Sequence, residues 1–343
     1  MTPLLSRRSL LRATPFVAML SALPMPHLQA QPQVTAAIAT AHALDETWTD
    51  ASRQRDIPVK LRWPDEKLYP GERHVLLFSH GLGGTREGGA VWGEAWAAAG
   101  FVVLHVQHPG SDLPALRAVT TSFTDRNALR SVASPEQLLA RWRDIQFLLD
   151  EIQRRHAARQ YRWGTVQPAR IGLSGHSFGA HTTLGMAGQR YPAAAGGSPI
   201  VEPRLASFIG FSPTAPPAGD AQAAFAGLIR PLLSVTGTRD SDVAGVGATP
   251  ERRFAVFGAL PPGHKAHLVL QDGDHMTFGG QTGRAAEVVR REAVTRELQP
   301  RHHALIAAIT TDWWRSTLLA DASASERLIQ PAGLANGDLW QRK

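Results

Sequence analysis

Gly175-His176-Ser177-Phe178-Gly179 follows Pro168-Ala169-Arg170-Ile171-Gly172-Leu173-Ser174 and precedes Ala180-His181-Thr182-Thr183-Leu184-Gly185-Met186-Ala187. The upstream segment reads as a short buried strand and the downstream one as a helix. The pentapeptide between them fits G-x-S-x-G, a sharp strand-to-helix turn that exposes a serine hydroxyl at the carboxyl edge of a sheet. Glycine is needed on both sides because a Cβ there would collide with the neighbouring strand and helix. The pentapeptide alone also arises by chance. Strand before and helix after make Ser177 a candidate nucleophile rather than an inert serine at a glycine-rich helix start.

Strand and helix patterns alternate on both sides of this turn. Val75-Leu76-Leu77-Phe78-Ser79 and Phe101-Val102-Val103-Leu104-His105-Val106 are continuous apolar runs, as expected of parallel strands covered on both faces. Leu205–Phe211, Pro231–Val235 and His267–Leu270 extend the set. Ile57-Pro58-Val59-Lys60-Leu61-Arg62-Trp63 alternates apolar with polar and predicts an antiparallel edge strand. Val91–Ala99 predicts a helix stopped by Gly100. Ser134-Pro135-Glu136-Gln137 has the chemistry of a helix start, and Leu138, Trp142, Ile145, Leu149 and Ile152 follow at helical spacing. Leu305, Ile309 and Trp313 form one more stripe, read as core. Repeated β–α units predict an α/β fold: a mostly parallel central sheet with helices on both faces. Residues 110–134, 186–204 and 213–226 read as loops. None is long enough for a large cap domain, so one domain over 31–343 with a fairly open site is expected.

A serine hydroxyl needs a base within hydrogen-bond reach, and the base needs a group that fixes its tautomer. His275, in Asp272-Gly273-Asp274-His275-Met276-Thr277-Phe278 just past the last strand, is the candidate base. His181 is expected to point away on the helix, His264 and His267 flank a strand start, and His302 and His303 are placed at a helix opening. The orienting acid is read as Asp240, after strand and glycine turn in Val235-Thr236-Gly237-Thr238-Arg239-Asp240, with Asp242 as the alternative. Asp272 and Asp274 stand too near His275 in sequence to orient it. Two backbone N–H groups must face the developing oxyanion. Phe178 follows the nucleophile, and Leu82 lies in His80-Gly81-Leu82-Gly83-Gly84 after the Val75–Ser79 strand. That loop lacks both Gly-Lys-Ser/Thr and G-x-G-x-x-G, which argues against a phosphate or dinucleotide cradle. Met276 and Phe278, with Leu82 and Phe178, are expected to line an apolar acyl pocket. His105, His108 and Asp112 read as loop-shaping rather than metal-binding, so no metal or other cofactor is expected.

The 343-residue chain has no cysteine, which excludes disulfides, a thiolate nucleophile and Cys-based metal centres. Its formal charge is +7; leaving out Arg7, Arg8 and Arg12, the balance is 33 basic to 29 acidic side chains. That mild excess has no long basic run and does not call for a nucleic-acid partner. Ser6-Arg7-Arg8-Ser9-Leu10-Leu11-Arg12 resembles the twin-arginine export signal, followed by a short apolar run, Ala13–Leu23, and a small-residue site at Leu28-Gln29-Ala30. Residues 1–30 are therefore read as an export signal and the mature chain as periplasmic or secreted. The apolar run is shorter than the roughly 20 residues a bilayer span needs, and no stable membrane insertion is expected.

Four segments together resemble the α/β-hydrolase superfamily, and within it the bacterial predicted dienelactone hydrolase group and the platelet-activating-factor acetylhydrolase family: Arg55-Asp56-Ile57-Pro58-Val59, Phe78-Ser79-His80-Gly81-Leu82-Gly83-Gly84, Gly175–Ala180 and Asp274–Phe278. The resemblance implies a serine esterase with its triad in the order Ser177, acid, His275. Dienelactone hydrolases use a cysteine that this chain lacks. The acetylhydrolases place their acid after the strand that follows the nucleophile helix, where this chain reads Phe211-Ser212-Pro213. That moves the acid one strand later, to Asp240. The expected function is cleavage of a small-molecule or lipid-like carboxylic ester; amides and thioesters share the same triad chemistry. An interface-acting lipase or cutinase-like polyester hydrolase is the alternative, and a non-catalytic binding protein of the same fold is the alternative of another class.

Overall fold

The structure is a computed structural model that describes residues 42–122, 125–192, 201–241, 243, 247–287 and 289–343. The export-signal reading of residues 1–30 and the alternative acid Asp242 lie outside the described residues. Among those described, nine strands form one sheet: β1 (His42–Asp50), β2 (Arg55–Trp63), β3 (Arg73–Ser79), β4 (Val102–Val106), β5 (Val166–His176), β6 (Leu205–Phe211), β7 (Leu232–Arg239), β8 (Lys265–Asp274) and β9 (Leu339–Arg342). Their spatial order is β1-β2-β4-β3-β5-β6-β7-β8-β9. The block from β4 to β8 is parallel; β2 and β9 run antiparallel to it at its flanks, and β1 pairs antiparallel with β2.

Alternation along the strands divides the interior into two cores. Val75, Leu77, Val102, Leu104 and Leu173 face one side, where they meet Trp142 and Ile145 of α4 (Pro135–Ala157) and Leu184 of α5 (Phe178–Ala187). Leu76, Phe78, Val103, Ile209 and Val235 face the other, against Trp92 and Trp96 of α1 (Ala90–Ala98) and Ile306, Ile309 and Trp313 of α8 (Ala293–Leu319). Apolar residues on both faces of each strand require helices on both sides, as the continuous apolar runs predict. The start of α4 also matches its sequence: the Ser134 hydroxyl accepts the Gln137 N–H at 3.3 Å, and Pro135 occupies the first turn.

Four local expectations change. The Ile57–Trp63 strand is not an edge, because β1 pairs along its whole length. The segment 110–134 is not all loop: it holds α2 (Leu113–Val119) and α3 (Arg126–Val132), each begun by an aspartate, Asp112 or Asp125, that caps backbone N–H groups. Their buried Leu116, Leu129 and Val132 pack against Leu82. The segment 213–226 contains the short α6 (Ala221–Phe225), capped by Asp220. His302 and His303 sit inside α8 and are buried, not at its opening.

Candidate active site

The carboxyl ends of β3, β5, β7 and β8 deliver the site. Ser177 stands between β5 and α5 with φ 56° and ψ −113°, a strained turn that holds its side chain above the sheet edge. The glycines flanking it are required by space: a Cβ on Gly179 would lie 1.9 Å from the Ser79 carbonyl oxygen, and one on Gly175 would lie 2.3 Å from that of Gly179. A backbone atom cannot yield as a side-chain tip can. Gly179→Ala is expected to cost at least about 3 kcal/mol, read as a lower urea midpoint; an unchanged midpoint would contradict this packing.

The sequence places Ser177, Asp240 and His275 far apart, and the fold brings them together. His275 Nε2 is 2.9 Å from Ser177 Oγ, and His275 Nδ1 is 2.8 Å from Asp240 Oδ1. Asp240 is fully buried directly after β7, and Thr236 Oγ1 donates to its other oxygen at 2.8 Å. Burial by itself would raise the Asp240 pKa, but the adjacent Arg253 cation and the hydrogen bond from His275 overcome it and hold the carboxyl down to about 2. The acid therefore stays ionised across the working range and directs the proton on His275 to Nδ1, leaving Nε2 free to accept from Ser177.

Sequence reasoning missed two residues here. Arg253, on α7 (Pro250–Ala259), is 3% exposed, and its Nε lies 2.9 Å from Asp240 Oδ1 and 2.7 Å from the Asp240 carbonyl oxygen. It also donates to the Ser212 carbonyl and to Thr214 Oγ1, and Nη2 lies 3.2 Å from His275 Nδ1. With the Nδ1 proton directed at Asp240, that last approach is donor against donor, so Arg253 acts on the imidazole as a charge. The signal was the second arginine of Arg252-Arg253, which falls on the same helix face as buried Val256, one turn away. His176, the variable residue of the turn motif, is also buried; its Nε2–H donates to the His275 carbonyl at 2.9 Å and so fixes the loop that carries the base.

Two hollows meet at Ser177. One, a cavity of about 240 Å³, is walled by Leu82, Leu138, Phe178 and Ala248 and bears His181 and Tyr191. The other, of about 450 Å³, carries Thr85, Glu87, Arg117, Met276, Gln281 and Arg284. Leu82, Ser177 and His275 border both. Three expectations are corrected accordingly. His181 does not point away: it lines the first cavity and bonds the Tyr191 hydroxyl at 3.2 Å, because one helical turn returns it to the side of Ser177. Phe278 is fully buried among Trp92, Phe211 and the α8 side chains, so it is core rather than lining. Met276 borders the second hollow with Leu82, rather than the first with Phe178. Leu82 and Phe178 both line the first cavity with Ser177, and among the described residues neither backbone N–H has a protein acceptor. Asp274 is engaged by Arg291 and Thr277, and Asp272 by Arg239. Among the described residues no group of three or more His, Asp or Glu side chains is arranged to hold a metal ion.

Residues 30–143 match the model of the family described as platelet-activating factor acetylhydrolase, isoform II. That span contains β1 to β4, the His80–Gly84 loop, α2, α3 and the first turns of α4, and ends before Ser177. The fold and this match together mark an α/β-hydrolase-type carboxylic-ester hydrolase. No curated protein matches the chain significantly.

Proposed function

We propose that this hydrolase is exported and cleaves carboxylic esters through an acyl-enzyme on Ser177. The observation that carries the reading is the continuous hydrogen-bonded line Ser177–His275–Asp240, opening into an apolar cavity. His275 takes the Ser177 proton as Oγ attacks the acyl carbonyl. The N–H groups of Leu82 and Phe178 receive the tetrahedral oxyanion, each lowering the barrier by roughly 3–4 kcal/mol. His275 returns its proton to the leaving alcohol. A water molecule then repeats the cycle on the acyl-enzyme, with Asp240 holding the imidazole throughout. The twin-arginine pattern at Arg7-Arg8 supports a periplasmic or secreted site of action, and nothing in the mechanism calls for a cofactor.

The apolar walls of the 240 Å³ cavity suit short to medium acyl chains, and the hollow bearing Arg117 and Arg284 suits a polar leaving group. A fluorophosphonate probe should add its mass to the peptide containing Ser177 and to no other. A series of p-nitrophenyl esters should peak in kcat/KM at intermediate chain length, without activation by emulsions. Absence of labelling would sink the acyl-enzyme. Strong activation at an interface would instead favour the lipase or polyester reading.

A further inference from the structure

Beneath the His80–Gly84 loop lies a buried polar assembly that the reaction described above does not use. Asp144 of α4, fully buried, accepts from Arg53 Nη1 at 2.9 Å, from Arg55 Nε at 2.8 Å and Nη2 at 3.0 Å, and from His108 Nδ1 at 2.9 Å. His108 Nε2 in turn accepts from Ser79 Oγ at 2.9 Å. Ser79, His108 and Asp144 thus repeat the spacing of a catalytic triad, but all three are closed to solvent. Burial pushes the His108 pKa down to about 4, so it is neutral, with its proton on the Asp144 side. Its backbone N–H donates to His80 Nε2 at 3.0 Å. That leaves the His80 proton on Nδ1, which donates to the Gly81 carbonyl oxygen.

Arg141, one helical turn before Asp144, completes the assembly. It is fully buried and donates from Nη1 to the His80 carbonyl at 2.7 Å and from Nε to Ser111 Oγ at 2.8 Å; Nη2 stands 3.5 Å from the Gly81 carbonyl. Its guanidinium also lies 4.3 Å over the Phe178 ring. Burial lowers its pKa to about 9, which still leaves it charged at neutral pH. The consequence is stereochemical. In a trans peptide the N–H points opposite to the C=O. Anchoring the Gly81 oxygen toward His80 and Arg141 therefore turns the Leu82 N–H the other way, toward the cleft beside Ser177.

We propose that Arg141 is a positioning residue for the oxyanion hole, fixing the Gly81–Leu82 peptide and the Phe178 side chain together, with Arg55–Asp144–His108 holding the tautomer of His80 that completes the anchor. This rests on the ester-cleaving reading above and assigns a task to Arg55 of the Arg55–Val59 motif, which that reading leaves idle.

The test compares Arg141→Lys and Ser111→Ala with the parent enzyme, each titrated with a fluorophosphonate so that kcat is expressed per reactive Ser177. Arg141→Lys should lose roughly 10- to 100-fold in kcat per titrated site, with KM within about threefold. Affinity for a trifluoromethyl ketone, which forms a tetrahedral oxyanion, should fall in parallel. Ser111→Ala, a small change that keeps Arg141 but frees its Nε, should move the same readouts in the same direction by roughly 3- to 10-fold. It decides the question if the lysine variant does not fold. Turnover per site within about twofold of parent in Ser111→Ala, and in any foldable Arg141→Lys, would overturn the positioning role and leave Arg141 a stability residue. If the parent itself fails to label, the ester reading fails instead.

Discussion

Ser177→Ala lowers turnover of p-nitrophenyl esters by about 10⁴- to 10⁶-fold, while the urea midpoint stays within about 1 kcal/mol of parent. The activity loss is large because, among the described residues, no other serine lining the cleft has an imidazole hydrogen-bonded to its hydroxyl. Ser212 borders the same cavity, but no hydrogen bond links its hydroxyl to an imidazole. Ser79 has a histidine at 2.9 Å and an aspartate behind it, yet it is wholly buried beneath the loop and no ester can reach it. A hydrogen-bonded serine, histidine and aspartate are therefore not sufficient; access to a cleft and two free N–H groups distinguish Ser177. The stability effect is small because the Ser177 side chain makes one hydrogen bond, to His275, and its backbone N–H bond to Phe211 survives the change. Residual activity above about 1% of parent, with fluorophosphonate label appearing on another serine, would remove Ser177 as nucleophile.

The sequence made the centre of the sheet legible because strands covered on both faces are largely apolar, and Val75–Phe78 of β3, Val102–Leu104 of β4, Phe208–Phe211 of β6 and Leu232–Leu233 of β7 carry that pattern. Their order along the chain, with glycine-rich turns at the carboxyl ends, placed Ser177, Asp240 and His275 at one edge. The periphery was less legible. β1 carries mostly exposed polar residues and gains its structure by pairing with β2, so the sequence around it shows little alternation. α2 and α3 are two turns each, too short for an apolar stripe, and only their aspartate caps announced them. Three of the unforeseen residues share one trait. Arg141, Asp144 and Arg253 are charges set within buried helix faces, where a residue-by-residue reading takes them for solvated surface. Arg141 follows Leu138 by three positions and precedes Ile145 by four, squarely on the apolar stripe of α4. A charge in that position must have a buried partner, and here the partners are the loops that carry the chemistry. Phe278 fails in the opposite direction: an aromatic beside the base looked like pocket lining, but the backbone turn after His275 sends its ring into the core.

Asp240→Asn is expected to cut kcat by roughly 10³- to 10⁴-fold, because an amide can donate to Nδ1 and so favour the tautomer with its proton on Nε2, which cannot accept from serine. Here a second effect follows from Arg253. Neutralising Asp240 leaves a fully enclosed guanidinium without its carboxylate, a change that costs about 3–5 kcal/mol when one partner of a buried pair is removed. Arg253→Met strands the opposite charge and should destabilise by a similar amount. It should also move the acid limb of kcat/KM upward in pH. Asp240 is held to about 2 largely by Arg253 against the opposing effect of burial. Without that cation, burial is opposed only by His275 and the hydrogen bonds to the carboxylate, so Asp240 takes up its proton at higher pH. The double variant separates the two roles. If Arg253 serves the carboxylate, Asp240→Asn/Arg253→Met will be more stable than the sum of the single losses predicts, by about 1–3 kcal/mol. Its activity will nevertheless stay at the Asp240→Asn level, since no charge balance restores the tautomer. Additive stability losses would show that Arg253 serves the Ser212 and Asp240 carbonyls and Thr214 rather than the Asp240 carboxylate. A double variant more active than Asp240→Asn would mean that the stranded guanidinium, rather than the lost carboxylate, is what disables His275.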